Sequence, residues 1–459
     1  MSLMVPIALF GWIPIILLMF SQLSPRRAVA VCFVFAWMFL PSTGYEIAGL
    51  PDYTKASATS IGVLLAVALF DTDRLVSFRL RLLDLPMVVW CICPLASSLS
   101  NGLGWYDGAS AVLAHTIKWG IPYYIGRVYF RDWMSIRELA MWIFIGGLVY
   151  MPLCLWEIRM SPQLNRWVYG FGGAGVEYVT ELGVLGSRPR VFMGTALTVG
   201  VFMTAASLMG MWLCGVGGLR RVCGMSARGA MVILIGTTLL CKNAGGVALL
   251  LLGAVVFVVW KRSRTAWPLY ALIAAVPLYM LARGNGVWSG QPMIEIARAV
   301  HERRAQSLET RFRMENLITE KALRKPAFGW GGWGRWRVTN EQGRDITLPD
   351  GQWVIALGET GITGLAAFTA AMLLPATICV WRLPRPLRLG AAGVPVIALS
   401  TLVVLYMVDN LFNAMPNPTY VVTAGGLATI CTTLRSRSPA LRAVHDWTPG
   451  RHRPVVGDS

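Results

Sequence analysis

Charge is scarce in this chain. Only 14% of its 459 residues are Asp, Glu, Lys or Arg, against about 25% in a soluble domain. Acidic residues are the scarcest, 23 against 41 Lys and Arg, which leaves a formal charge of +18. The sequence has no Walker motif and no His-Glu-x-x-His, which excludes those two nucleotide- and zinc-handling devices. A cysteine framework is missing too. Cys32, Cys91, Cys93, Cys154, Cys214, Cys241, Cys379 and Cys431 lie in or at the ends of apolar segments, and Cys223 lies in a basic linker. Cys91 and Cys93 do not have a zinc-ligand spacing. The set reads as small apolar packing residues, with no disulfides implied.

What is abundant is apolar. Hydrophobic residues make up 55% of the chain, and blocks such as 63–70, 247–260 and 365–374 are apolar on every face. A helix of that kind belongs in a large core or against lipid, and so many of them do not fit one soluble core. Each crossing takes about 20 residues, so about a dozen use most of the chain. Spans are expected near 3–20, 28–41, 58–70, 85–99, 109–126, 139–156, 191–214, 229–241, 246–260, 267–282, 352–374, 391–409 and 418–433. The expected fold class is an all-α polytopic transmembrane helix bundle of about 12–14 spans. Segment 3–20 lacks the flanks of a cleaved signal peptide and is expected to stay as the first span.

The basic residues alternate. Arg26 and Arg27, then Arg74, Arg79 and Arg81, then Arg127, Arg131 and Arg137 occupy every second linker. The series continues through 220–228, 261–264 and 382–388 to the tail. The intervening short linkers, 42–57, 100–108, 242–245 and 410–417, carry almost no basic charge. The positive-inside rule places the first set in the cytoplasm, with the N-terminus outside and the C-terminus inside. Such placement argues for a lipid bilayer as partner and against nucleic acid. The expected organisation is N-terminal spans over 1–282 with an external loop at 157–190, a large external loop at 283–351, C-terminal spans over 352–434, and a basic, disordered cytoplasmic tail at 435–459. The middle of the large loop, from about Ile294 to Leu323, has helical periodicity and is expected to form an amphipathic helix.

That loop is rich in arginine, against the positive-inside trend. A long loop translocates regardless of charge, which permits the arginines without explaining them. One explanation is an anionic ligand, because the guanidinium fork suits phosphate; at an outer membrane face the natural choice is a lipid diphosphate. The other is a solvated basic face paired with Glu302, Glu309, Glu315 and Glu320. Trp330, Trp333 and Trp336 cluster in a Gly-rich stretch, to stack on sugars or to dip into the membrane interface.

The same stretch carries an ordered set of residues: Arg311, Pro326, Gly329-Trp-Gly331, Asp350, then Glu359-Thr-Gly361-Ile-Thr-Gly364 at the opening of a span. The set resembles the signature of the O-antigen ligase and O-antigen polymerase superfamily of bacterial polytopic membrane proteins. The resemblance covers about residues 180–375, the rest agreeing only as topology. The family's His-Asn pair falls by spacing on Asp350 and Gly351, a departure that leans towards polymerase. Its Ser-Arg-Gly turn falls on Lys242-Asn243-Ala-Gly, where Lys242 holds phosphate or snorkels. Ser187-Arg188-Pro189-Arg190 precedes a span where the family shows Arg-Pro.

The resemblance implies a membrane glycosyltransferase of the bacterial cytoplasmic (inner) membrane. It would transfer or polymerise glycan from a polyprenyl-diphosphate-linked donor to a glycan or lipid acceptor, with no cofactor and no metal. Asp350 would be the base and Arg311 a catalytic cation. Arg313, Arg188, Arg190 and Lys242 would help to bind the diphosphate. His115 and Lys118, one turn apart within a span, are candidates to line a substrate groove, as is Asp409. Lys118 is alternatively a structural partner of a carbonyl or of Asp409. The alternative function is a transporter or flippase for a lipid-linked or anionic substrate.

Overall fold

A computed structural model of the chain describes residues 2–172, 186–300, 302–384, 390 and 393–433, and is mostly helical with almost no sheet. The helices in order are α1 (Met4–Gln22), α2 (Pro25–Phe39), α3 (Lys55–Phe70), α4 (Thr72–Val76), α5 (Leu85–Ser100), α6 (Gly104–His115), α7 (Ile121–Tyr129), α8 (Trp133–Met160) and α9 (Leu164–Tyr169). They continue with α10 (Ala196–Gly215), α11 (Ala227–Leu240), α12 (Ala244–Ser263), α13 (Trp267–Gly284), α14 (Gln291–Val300), α15 (Glu302–Ala322), α16 (Gln352–Arg382), α17 (Gly393–Asp409) and α18 (Pro418–Thr433). A π-helical turn, Thr116–Gly120, joins α6 to α7. The described strands amount to one two-residue hairpin, Arg221–Val222 with Met225–Ser226.

Local chemistry sets many boundaries. Thr54 and Ser57 form a reciprocal cap at the start of α3, and Asp132 and Ser135 do so for α8, satisfying amides that have no partner within the first turn. Asn243 caps α12 by accepting from Gly246. Six helical segments are long and apolar enough to cross a membrane: those beginning at Met4, Trp133, Ala196, Ala244 and Gln352, and α5 together with the 3-10 turn Leu82–Asp84 that leads into it. Lys55–Phe70, Ala227–Leu240 and Gly393–Asp409 are apolar but shorter. Apolar helices occupy the expected span positions, while six of them among the described residues combine the length and the hydropathy that a crossing needs.

The core of the bundle is α10, α17 and α18. Over its most apolar stretch α10 is 89% buried, against 28% for α1, and it packs on α8, α11, α12 and α17. At the crossing of α18 with α7, Gly126 and Gly425 let the backbones touch: a Cβ on either would lie 2.1 Å from a carbonyl oxygen of the other helix, the close approach that small residues permit between apolar helices. The outer helices turn large apolar side chains outward, among them Leu18, Val232, Leu251, Val258 and Leu278.

The large loop departs from expectation in one respect. Two helices, α14 and α15, stand where one was expected over 294–323, and they pack against each other through Ile294, Ala305 and Phe312. Folding the segment back buries an apolar face that one straight amphipathic helix would leave open. Residues 173–185, the basic linker at 385–389 and the tail from 434 lie outside the described residues.

Candidate functional site

The ordered residues of the loop turn out to build one joint. Helix α16 is broken at Gly361, whose φ of 67° and ψ of −167° are non-helical. The segment Pro326–Gly331 fills the break. Trp330 N–H donates to the Gly358 carbonyl at 2.8 Å and Gly331 N–H to the Glu359 carbonyl at 3.0 Å, while Ile362 N–H donates to the Pro326 carbonyl at 2.7 Å. Gly358 and Ile362 would be partners in an unbroken helix; each finds its partner in the loop instead. Gly329 has a φ of 69°, and a Cβ there would lie 2.6 Å from the Gly358 oxygen, so this position needs glycine on both counts. From α5, Ser97 donates to the Glu359 carbonyl at 2.8 Å. Glu359 accepts from the Trp336 indole at 3.2 Å. The Gly-x-Gly and Glu-x-Gly-x-x-Gly residues are therefore structural: they anchor the loop to the bundle.

That joint positions the ends of α15 and α16. Arg311 projects from α15, and Asp350 precedes α16, whose first turn is covered by the linker after α17. Arg311 Nε lies 3.2 Å from Asp350 Oδ2, with the two side chains 31% and 37% exposed. Arg311 Nη1 also donates to the Phe412 carbonyl, at 3.4 Å. A cleft of about 20 Å³ lies between them, lined also by Glu315, Leu348 and Leu411. It has room for about one water molecule as it stands. Burial pushes the Asp350 carboxyl above its usual range, and the Arg311 guanidinium opposes the shift. Asp409, at the end of α17, lies within electrostatic range of Arg311. One of its oxygens accepts from Asn413 at 2.7 Å, and the other is buried without a partner.

Other candidates are placed differently. Arg313 is exposed; two residues along an α-helix is about 200° of rotation, which turns it away from the Arg311 face. Arg188, Arg190 and Lys242 gather around the end of α8. The backbone amides of Arg190 and Val191 donate to Glu157 at 2.8 and 2.7 Å, and Lys242 donates to the Gly186 carbonyl. None of the three lines the Arg311 cleft. His115 ends α6 beside Trp90, ring centroids 4.8 Å apart, with Nδ1 buried and unpartnered. Lys118 lines a separate cavity of about 370 Å³ and makes no ion pair with Asp409 among the described residues.

Much of the loop's charge is internally balanced. Arg298 pairs with Glu302, Arg324 with Glu320, Arg335 with Asp107 and Arg337 with Asp345. Of the three tryptophans, Trp336 is buried, Trp330 donates to the Lys321 carbonyl, and only Trp333 stands open, 82% exposed. The Asp71-Thr-Asp73 sequence has the Asp-x-Asp spacing of metal-held nucleotide sites, but Asp71 is engaged by Arg74 at 3.1 Å and by the Tyr129 hydroxyl at 3.0 Å. Among the described residues no cluster of His, Cys, Asp and Glu is arranged to hold a metal ion.

Sequence reasoning missed Lys55 and the buried group Arg283–Glu315–Tyr279. Glu315 is taken by Arg283 at 3.3 Å and by the Tyr279 hydroxyl at 3.1 Å. Arg283 sits at the end of an expected span, which was the available signal. Compared with known proteins, the chain matches no family model, and no curated protein sequence matches it.

Proposed function

We propose that this is a membrane-embedded glycosyltransferase of the O-antigen ligase or polymerase type. It would move glycan from a polyprenyl-diphosphate donor at the outer face of a bacterial cytoplasmic membrane, with α14, α15 and the Arg311 cleft outside. The observation that carries the reading is the half-open Arg311–Asp350 pair, where three separate elements meet beside the unpartnered oxygen of Asp409. The apolar outward faces of α1, α11, α12 and α13 support a lipid surround.

The ion pair suggests the order of events. In the resting protein Arg311 and Asp350 neutralise each other. A diphosphate offers the guanidinium oxygens that it can grip in bidentate fashion, and Arg311 exchanges partners. Asp350 is then free to take the proton of the acceptor hydroxyl. The acceptor oxygen bonds to the anomeric carbon as the carbon–oxygen bond to the diphosphate breaks. The leaving polyprenyl diphosphate carries the electron pair and is stabilised by Arg311.

The rival reading, a transporter or flippase for such a substrate, draws on the broken helix α16, since discontinuous helices are common in transporters. Here, however, the break is filled by 326–331. Reconstituted protein supplied with a lipid-linked oligosaccharide, without nucleotide or metal, tests the two. Longer glycans support transfer; translocation without new glycosidic bonds supports the rival.

A further inference from the structure

A second cavity has no part in the transfer step described above. It is the cavity of about 370 Å³ enclosed by the linker into α3, the π-helical turn before α7 and the linker into α18, a size typical of small-ligand sites. Two of the chain's six lysines, Lys55 and Lys118, line it. Neither has a carboxylate within ion-pairing distance among the described residues. Lys55 Nζ donates to the Trp37 carbonyl at 3.3 Å and lies 3.9 Å over the Trp37 ring, which holds the ammonium in place and leaves donors over. Lys118 Nζ lies 5.7 Å over the Trp119 ring.

The surroundings strengthen the positive field. The first turns of α3 and α18 both border the cavity, through Thr54 to Ser57 and through Asn417 and Pro418, and helix N-termini carry partial positive charge. The acids nearby are Asp52, which lines the cavity and is exposed, and Glu359, which lies within electrostatic range of Lys118 and accepts from Trp336. Two lysines therefore line the cavity against one exposed aspartate, with Glu359 opposing Lys118 from outside the lining. Ile117, Val421 and the two tryptophans make the rest of its wall largely apolar, which suits an anion attached to a hydrocarbon. The cavity is also close to the cleft: residues 416–418 border it, while Leu411 and Phe412, in the same linker, border Arg311.

We propose that this cavity is a second anion site, which takes the phosphate or diphosphate headgroup of the acceptor lipid while Arg311 grips that of the donor. The anion site stands on its own geometry; its assignment to the acceptor rests on the glycosyl-transfer reading. Two headgroups held on either side of one linker would bring two lipid-linked glycans to one place, which selects polymerisation over transfer to an uncharged carrier.

The test uses the full chain in lipid nanodiscs, with farnesyl diphosphate as probe and native mass spectrometry to count bound equivalents. Wild type is expected to hold two. Arg311→Ala removes one, and Lys55→Gln with Lys118→Gln weakens the other by about tenfold or more, where each factor of ten corresponds to about 1.4 kcal/mol. Lys55→Arg with Lys118→Arg, which keeps both charges, retains it and controls for misfolding. Inorganic pyrophosphate as competitor separates the sources: displacement of the lysine-dependent equivalent means that the bare anion suffices, and failure to displace it means that the lipid is required; either supports the site. Two full-strength equivalents in the double Gln variant, or a wild type that holds only the Arg311-dependent one, overturns it. Should glycan extension never occur while lysine-dependent binding persists, the anion site stands and its assignment to an acceptor falls.

Discussion

Two Arg–Asp pairs in this molecule have the same chemistry and opposite surroundings. Arg127 and Asp84 are both buried. Arg127 Nε lies 2.7 Å from Asp84 Oδ1, and Nη2 donates to Oδ2 at 2.9 Å. Tyr123 adds a bond to Asp84 at 2.9 Å, and Thr429 accepts from Arg127 at 2.7 Å. Arg311 and Asp350 are about one-third exposed, longer at 3.2 Å, and backed by a single carbonyl contact. The first pair locks α7 and α18 to the turn before α5 and is closed off by burial. The second can open at little cost, because exposed ion pairs contribute only about 0–1 kcal/mol. Burial and the number of supporting hydrogen bonds, rather than residue type, divide a structural pair from one left open to a ligand.

The contrast yields an ordered set of expectations. Asp350→Ala should lower the rate of glycan extension by roughly 10²–10⁴-fold, the range for loss of a catalytic base, and Arg311→Ala by roughly 10²–10³-fold, the range for loss of one charge-stabilising donor, each with little change in thermal unfolding. Asp84→Ala or Arg127→Ala should do the reverse, destabilising the protein by roughly 3–5 kcal/mol because a buried charge loses its partner, with activity per folded molecule preserved. Equal stability losses at both pairs would erase the distinction. Gly329→Ala should cost roughly 1–3 kcal/mol from forced backbone strain, read as a lower melting midpoint.

A smaller effect concerns pH. In the proposed mechanism Asp350 works as a carboxylate, and burial raises its pKa, so the extension rate should fall as pH drops through a value above the ordinary aspartate range of about 4. Removing the opposing cation in Arg311→Gln should move that limb of the residual rate to higher pH. The smallest effect is local. The Thr347 hydroxyl and Arg337 hold Asp345 down at about 2. Its contribution to the 338–347 turn is thus present above the ordinary aspartate pKa and lost as pH falls towards 2. Asp345→Asn should speed amide exchange there at neutral pH, leaving the rest of the chain unchanged.

The apolar helices were legible from apolar blocks alone, since an all-round apolar stretch needs no tertiary context to be recognised. The break in the loop helix was not, because the periodicity of 294–323 continues through it and only the packing of Ile294 on Phe312 requires the fold-back. Arg311 and Asp350 were brought together by their place in an ordered motif. Lys55 escaped notice because its linker carries almost no charge; its meaning comes from Lys118 and the 416–421 segment, which are remote in sequence. Arg313 illustrates the converse, since proximity in sequence put it on the wrong face of its helix.

The most direct test of the central claim is donor binding and transfer measured together on Asp350→Asn, which keeps shape and Arg311 but loses the base. The account predicts that the variant binds a polyprenyl-diphosphate-linked glycan as well as wild type does and forms no longer product. Extension at the wild-type rate would contradict it.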